Sequence, residues 1–585
     1  MKVLKILLWL ALALIVLAAA GVAVFALTFD PNKYKGELER LVKERTGRTL
    51  QLKGPLEMAF WPSLGAKVAG VTLSERQPER QFLSLDSAHA SVALMPLLRG
   101  ELIVDRVRVS GLKAQIVKGK DGKFNFEDLT EPQAGKPPAK PEEKKAAGGA
   151  PVKFDIAGVN VEHAAVVYQD LASGQEISIS DLKLDTGRIA ENAQGKLDFS
   201  ATARRKAPPL EVKVALNGNY ALKPDAVALD FSGRLDESNV KGKAVVARAE
   251  KGAHQFDLDI DKLNLDRYLA SSEKKQETAK KEEKGAQPAK PAKEADAPVD
   301  LSGLKGLNAK GRVAIGALQV QGLKLANLKT ELSAADGRAQ VGPHSANLYE
   351  GSLAGTVTLD GNANRVALKE TLSNVAVGPL LRDAAQQDKL EGRGNVALDV
   401  TAAGKTVNAM KSALAGNAKL NLRDGAIKGV DIGALLQKAR SALGKQTEAA
   451  DSKQKTDFSE MSASFAIKNG VAHNDDLDVK APLFRIGGAG DIDIGKSTIN
   501  YVAKASVVAT TKGQGGRELD QLAGLTVPVK LTGPLDSMKY EVDYKAVAAD
   551  LAKSKVGEKA KEAIDKNKGK VEEEVRDRLK GLLGR

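Results

Sequence analysis

Gly392-Arg393-Gly394-Asn395-Val396-Ala397-Leu398-Asp399-Val400 admits two readings, and the choice between them decides the fold. Its first six residues fit the loose glycine pattern of a dinucleotide-binding turn, which requires a helix immediately after it. Instead Val396, Leu398 and Val400 alternate with a small and a charged residue, the period of a strand with one face covered. The stretch therefore reads as a strand, and the nucleotide reading falls.

The same period recurs in Val212, Val214 and Leu216, in Val357 and Leu359, and in Leu420 and Leu422. It returns in Ile492 and Ile494 and in Val527, Val529 and Leu531. Asn217-Gly218-Asn219, Asp360-Gly361-Asn362 and Asp424-Gly425 read as turns between such strands, and repeats of about ten to twelve residues predict an antiparallel meander. The expected fold is mainly β, a long curled antiparallel sheet forming a groove or trough, with a few short helices. An apolar sheet face has to be covered by another sheet, helices, a membrane or a ligand. With aromatic residues at 4% and few helices in view, acyl chains are one candidate cover. Ordinary packed β-domains are the other, and the pattern alone leaves both open. Val357, Leu359, Leu398, Val400, Leu420, Leu422, Ile492, Ile494, Val529 and Leu531 are the candidate lining.

Upstream, Ile6 to Leu27 forms one run without a polar or charged side chain. As a helix of 22 residues it would reach about 33 Å, enough for a hydrocarbon core of about 30 Å. The apolar core of a cleaved signal peptide is shorter, about 7 to 15 residues, so a retained anchor through Ile6, Trp9, Leu14, Val24 and Leu27 is the preferred reading. Lys2 and Lys5 favour a cytoplasmic N-terminus. Asp30-Pro31 then supplies a cap and a first helical position, Leu38, Leu41 and Val42 share a helix face, and Gly47 can end it. The expected organisation is an anchor at 1–29, β regions at 30–130, 152–270 and 299–544, linkers at 131–151 and 271–298, and a charged helical tail at 545–585. Both linkers are rich in Lys, Glu, Ala and Pro and cannot bury enough apolar surface to order. Gly444 to Lys455 reads as a third, shorter one.

The catalytic inventory is thin. There is no cysteine, so no disulfide, thiolate metal site or cysteine nucleophile is open to the chain. His89, His163, His254, His344 and His473 lie far apart in sequence and read as surface or turn residues. Asp257, Asp259 and Asp261 alternate like the wet face of a strand and lack the glycine turn of a calcium loop. Gly490-Asp491-Ile492-Asp493-Ile494-Gly495-Lys496-Ser497 spells a phosphate-loop pattern, yet its middle alternates and its aspartates would repel phosphate. Net charge is +14, but the dense lysine clusters are interleaved with glutamates, which argues against nucleic acid. No enzyme activity, metal or cofactor is expected.

Ordered landmarks along the chain resemble the AsmA family. They begin with Phe60-Trp61-Pro62-Ser63-Leu64-Gly65, Met95-Pro96-Leu97-Leu98-Arg99-Gly100, Asp121-Gly122-Lys123-Phe124-Asn125-Phe126 and Leu263-Asn264-Leu265-Asp266-Arg267-Tyr268-Leu269. Arg423-Asp424-Gly425-Ala426, Asn469-Gly470, Gly488-Ala489-Gly490-Asp491 and Thr526-Val527-Pro528-Val529 continue the series. Phe126 stands where the family commonly has Trp, and the tail after Tyr544 has no counterpart. The resemblance implies an inner-membrane protein of a Gram-negative envelope with a periplasmic body, linked to outer-membrane biogenesis. It also implies an architecture similar to bridge-like lipid-transfer proteins, whose apolar β-grooves carry phospholipids between membranes. Expected partners are membrane phospholipids and the inner membrane. An inner- or outer-membrane protein partner is left open, as is a non-enzymatic scaffold that aids assembly of outer-membrane proteins.

Overall fold

Alternation of apolar and polar residues fixes the architecture of this computed structural model, because each strand so patterned can bury only one side against its surroundings. The structure describes residues 30–60, 63–76, 80–97, 99, 101–130, 154–249, 252–269, 296, 298–386, 388–428, 455–482, 484–508, 526–535, 538–543 and 546. The anchor residues Ile6, Trp9, Leu14, Val24 and Leu27 lie outside them, with both linkers but for a few end residues, nearly all of Gly444 to Lys455 and, Ala546 apart, the tail. Among the described residues no helix is long and apolar enough to cross a membrane. Two compact units divide the chain, one of Met1–Leu263 with Arg267–Ala286, the other of Asn264–Asp266 with Gln287–Arg585.

In unit 1 a helix α1, Lys35–Thr46, comes after a single 3-10 turn at Pro31–Tyr34 and ends at Gly47, whose φ of 71° is the left-handed stop a glycine supplies. Strands then pair in antiparallel order from Gln175–Thr186 through Gln194–Arg205, Leu210–Leu222, Ala226–Leu235 and Ser238–Ala247 to His254–Asn264. The meander has one exception. Leu102–Val104, Val107–Ser110 and Lys113–Lys118 pair in parallel with Phe154–Ile156 and Val159–Asp170. Parallel neighbours need a long crossover, and the stretch between Lys118 and Phe154 is long enough to make it.

Among the described residues the strands of unit 2 pair antiparallel, from Ala309–Val320 to Lys539–Val542. Register shifts at Val341/His344, Leu372/Val375 and Asn474/Leu477 insert bulges, which bend strands and deepen their twist. A second helix, α2, Val377–Ala385, packs beside the strands Arg365–Ala376 and Leu390–Ala403.

Two of the three sequence-read turns are not turns. Asn217-Gly218-Asn219 and Asp424-Gly425 lie inside the strands Leu210–Leu222 and Ala415–Lys428, whereas Asp360-Gly361-Asn362 does end a strand. Ile494, expected to continue a strand, falls in the turn between Phe484–Asp493 and Thr498–Val507. That hairpin occupies the would-be phosphate loop, with no helix after it. Gly490 sits within the first of its strands, and with φ at 153° a side chain there would press against Tyr501.

Candidate functional site

In an antiparallel sheet directly paired residues share a face, so register alone traces an apolar surface from strand to strand. In unit 2 one row runs Val341, Val357, Leu368 and Val400, and a second runs Leu353, Leu372, Val396, Leu420 and Ala463. Val357, Leu359, Leu398, Val400 and Leu420 are half-buried on this face. Ile492 and Leu531, on strands farther along, are half-buried as well, while Leu422 and Val529 are buried. Leu422, at 0% exposure, pairs with Gly394 and Met461 and joins a packed cluster with Val375, Phe458, Val479, Ile486, Val527 and Val529. Leu380 and Leu381 of α2 close over this cluster. Tyr349 fastens the helix, its hydroxyl donating to Asp383 at 2.8 Å, and burial pushes that phenol up to about 12. The opposite face is wet and laced with cross-strand pairs such as Lys369–Asp399 and Lys480–Glu460.

Two polar groups interrupt the apolar face. Glu370 pairs across its strand boundaries with Gly355 on one side and Leu398 on the other, and Gly355 in turn pairs with His344. His344 Nε2 lies 2.9 Å from Glu370 Oε2 over the intervening strand, with the two side chains only 9% and 8% exposed. A Cβ at position 355 would collide with the Glu370 carboxylate, so glycine is what lets the pair meet. Sequence reading placed His344 on the surface, because its partner lies 26 residues away and no local spacing betrays it. Farther along, the buried Tyr501 hydroxyl donates to the Asn474 side-chain oxygen, whose amide donates to the Ser464 carbonyl at 2.7 Å. Burial, with the nearby Asp476 charge, pushes Tyr501 up to about 12.

Unit 1 repeats the scheme. Leu216 pairs with Phe199 and Gly233, Leu229 with Tyr220 and Ala244, and Val240 with Ile260, all on one face. Asp257 and Asp259 are exposed on the other, paired with Lys243 and Lys241. Among the described residues no group of three or more His, Cys, Asp or Glu is placed to hold a metal ion. The geometry offers apolar surface and polar edges.

The AsmA family model matches residues 1–228 and 211–477. The chain belongs to the AsmA family. It is also similar to Protein AsmA of Escherichia coli (strain K12), 22% identical over 613 residues that span 95% of this chain and 97% of that one.

One AsmA landmark, the Asp121–Phe126 stretch, is held by side-chain contacts. Asn125 of the Asp121–Phe126 stretch donates to Glu75 at 2.7 Å and receives the Val117 amide at 3.0 Å. Beside it Arg48, 1% exposed, grips Asp128 at 2.9 and 2.5 Å and reaches the Asn125 carbonyl at 2.6 Å. Its guanidinium lies 4.8 Å from the centre of the Phe82 ring. The hydrogen bond from Arg48 holds the Asp128 carboxyl below the usual carboxylate range against the opposing effect of burial. Phe126, where the family commonly has Trp, stacks on Phe124 with ring centres 5.2 Å apart.

A further feature of this chain is absent from the sequence reading. Several of the sheet aromatics lie directly across from a glycine: Tyr220 from Gly195, Phe231 from Gly218 and Gly242, Phe458 from Gly425, and Tyr501 from Gly490. A Cβ on Gly242 would stand 2.6 Å from the Phe231 ring, so the ring lies down over its neighbour. Glycine on one strand makes room for an aromatic on the next. The signal in sequence is the pairing, which cannot be read until register is known.

Proposed function

We propose that this chain is a single-pass inner-membrane protein with its body in the periplasm, serving outer-membrane biogenesis by carrying phospholipids along the apolar faces of its sheets without enzymatic chemistry. The observation that carries this reading is the register-matched apolar row Val341–Val357–Leu368–Val400, whose members stay half-buried. Family membership and the unbroken apolar run at 6–27 support it. Acyl chains laid on these rows would cover them, while headgroups stay in water and avoid the cost of burying charge. Rings laid flat over glycines keep such a surface low. A groove of this kind only relaxes a gradient, so net flow needs a partner protein or an imbalance between membranes.

The test is photocrosslinking in cells. Benzoylphenylalanine at Leu398, on the apolar face, should give phospholipid adducts, and the same residue at neighbouring Asp399, on the wet face, should not. Adducts at neither position, or equally at both, would overturn the proposal. A scaffold for assembling outer-membrane proteins is the second reading, and the closed packing of Leu422, Val479 and Val527 favours it for that end of unit 2. Deleting residues 545–585 separates the two, since a scaffold acting through the tail would fail while groove transfer would persist.

A further inference from the structure

From Asp30 onward the chain is tied to the strands of unit 1. Three residues separate Leu27 from Pro31, so four Cα steps of 3.8 Å hold Pro31 within about 15 Å of the end of the run. Asp30 caps the first turn, accepting the Asn32 amide at 3.0 Å. Asn32 then clamps strand Leu56–Ala59, its side chain donating to the Leu56 carbonyl at 3.1 Å and accepting the Leu56 amide at 2.9 Å. Lys35 reaches the Gly54 carbonyl at 2.6 Å, and Glu39 accepts the Leu52 amide at 2.7 Å. Helix α1 is thereby tied through Lys35 to Gly54 and through Glu39 to the strand Leu50–Leu52, and its Val42 is half-buried.

The apolar pair that the helix should bury is turned the other way. Leu38 is 40% and Leu41 46% exposed. At 3.6 residues per turn Leu38, Leu41 and Arg45 fall within an arc of about 60°. The docked residues flank that arc on one side, and the ion-paired Glu37, Arg40 and Glu44 flank it on the other. Nothing else among the described residues of α1 is apolar and outward. Large exposed apolar side chains are concentrated in this part of unit 1, where Met58, Leu64, Met95 and Leu97 are 38%, 37%, 53% and 39% exposed.

We propose that the outward stripe of α1 is seated in the headgroup region of the membrane that holds the apolar run, with a phospholipid surface as its occupant. This rests on the anchor reading above and adds to it that unit 1 is docked on the bilayer rather than hung from it. The headgroup layer is about 5 to 8 Å deep on each side of the hydrocarbon, and a tether that holds Pro31 within about 15 Å of that boundary keeps the helix after it close enough for its outward stripe to reach that layer. An interfacial helix carries this arrangement, apolar residues toward the lipid and charged ones toward water.

The chain has no cysteine, so single substitutions Leu38→Cys, Leu41→Cys and Arg40→Cys each give one thiol for a fluorescent label. The full chain is reconstituted in vesicles of phosphatidylethanolamine and phosphatidylglycerol, with and without bromine on the acyl chains. Labels at 38 and 41 should be quenched by brominated lipid several-fold more than the label at 40. Equal, weak quenching at all three in protein that floats with the vesicles after a carbonate wash overturns the seating and leaves the anchor standing. Protein that fails to float overturns the anchor reading, and the seating with it.

Discussion

Replacing His344 by Leu should destabilise unit 2 far more than its modest change in volume suggests. The substitution strands the Glu370 carboxylate, whose side chain is 8% exposed, opposite Leu398 on an apolar surface. Removing one partner of a buried hydrogen bond leaves the other unsatisfied, at a cost of about 1 to 3 kcal/mol. Replacing both at once, His344→Leu with Glu370→Leu, removes the stranded group and should bring stability back to near the parent value or above it. Both partners must change to reveal this, so the coupling, about 1 to 3 kcal/mol, is the quantity to measure. Two compact units make global melting ambiguous, and hydrogen exchange of the strands Arg338–Leu348, Gly351–Asp360 and Arg365–Ala376 reads the effect locally. A single His344→Leu variant within about 0.5 kcal/mol of the parent, or a double variant as unstable as the single, would refute the reasoning.

Three other contacts carry outcomes of the same kind. Leu422→Ala should cost about 2 to 5 kcal/mol, since Leu422 is wholly buried in the packed cluster, and Leu398→Ala clearly less; equal losses in local exchange would contradict the division of that face into closed and open parts. The Asp128 carboxyl has its folded pKa depressed by Arg48, so the stability it contributes is complete above the ordinary carboxylate value and is lost as pH falls through the lower folded value. Pepsin digestion from pH 4 downward should therefore open the segment around Asn125 progressively in the parent, and an Arg48→Met variant should be open already at pH 4 with a flatter dependence. Tyr501→Phe leaves the buried Asn474 oxygen without its donor and should cost about 1 to 3 kcal/mol, seen as faster exchange in Val471–Lys480.

Period-two alternation makes the strands legible, and Gly47 and Asp30 mark the ends of the first helical segment, because those signals are local. Register is not local. The parallel pairing of Lys113–Lys118 with Val159–Asp170 depends on where a long connection returns, and no pattern inside either strand encodes it. Asn217-Gly218-Asn219 reads as a turn for a related reason: glycine serves turns by its freedom and strands by its lack of a side chain, and only the Phe231 opposite decides which. The lining candidates stand out as alternating apolar residues, yet alternation cannot say which of them a helix such as α2 will close over. Leu422 and Leu398 look alike in sequence and differ in what lies above them.

That difference bears on how lipid would move. A face that stayed open along its whole length would be a continuous path for acyl chains, whereas the packing of Leu380 and Leu381 over the cluster around Leu422 closes one part of it. The His344–Glu370 pair stands beside the open row, next to Val357 and Leu398, where a chain sliding along Val341–Val357–Leu368–Val400 would pass it. Paired, the two groups satisfy one another and present little charge; unpaired, the carboxylate would repel an acyl chain and draw water onto the face. The glycine at 355, by letting His344 reach Glu370, therefore keeps a polar bridge compatible with an apolar path. Gly355→Ala, which pushes the carboxylate out of reach of His344, should consequently lower lipid adducts at Leu398 even though the substituted residue is itself small and apolar. Undiminished adducts in that variant would separate the pair from the path and leave it a purely structural tie between strands.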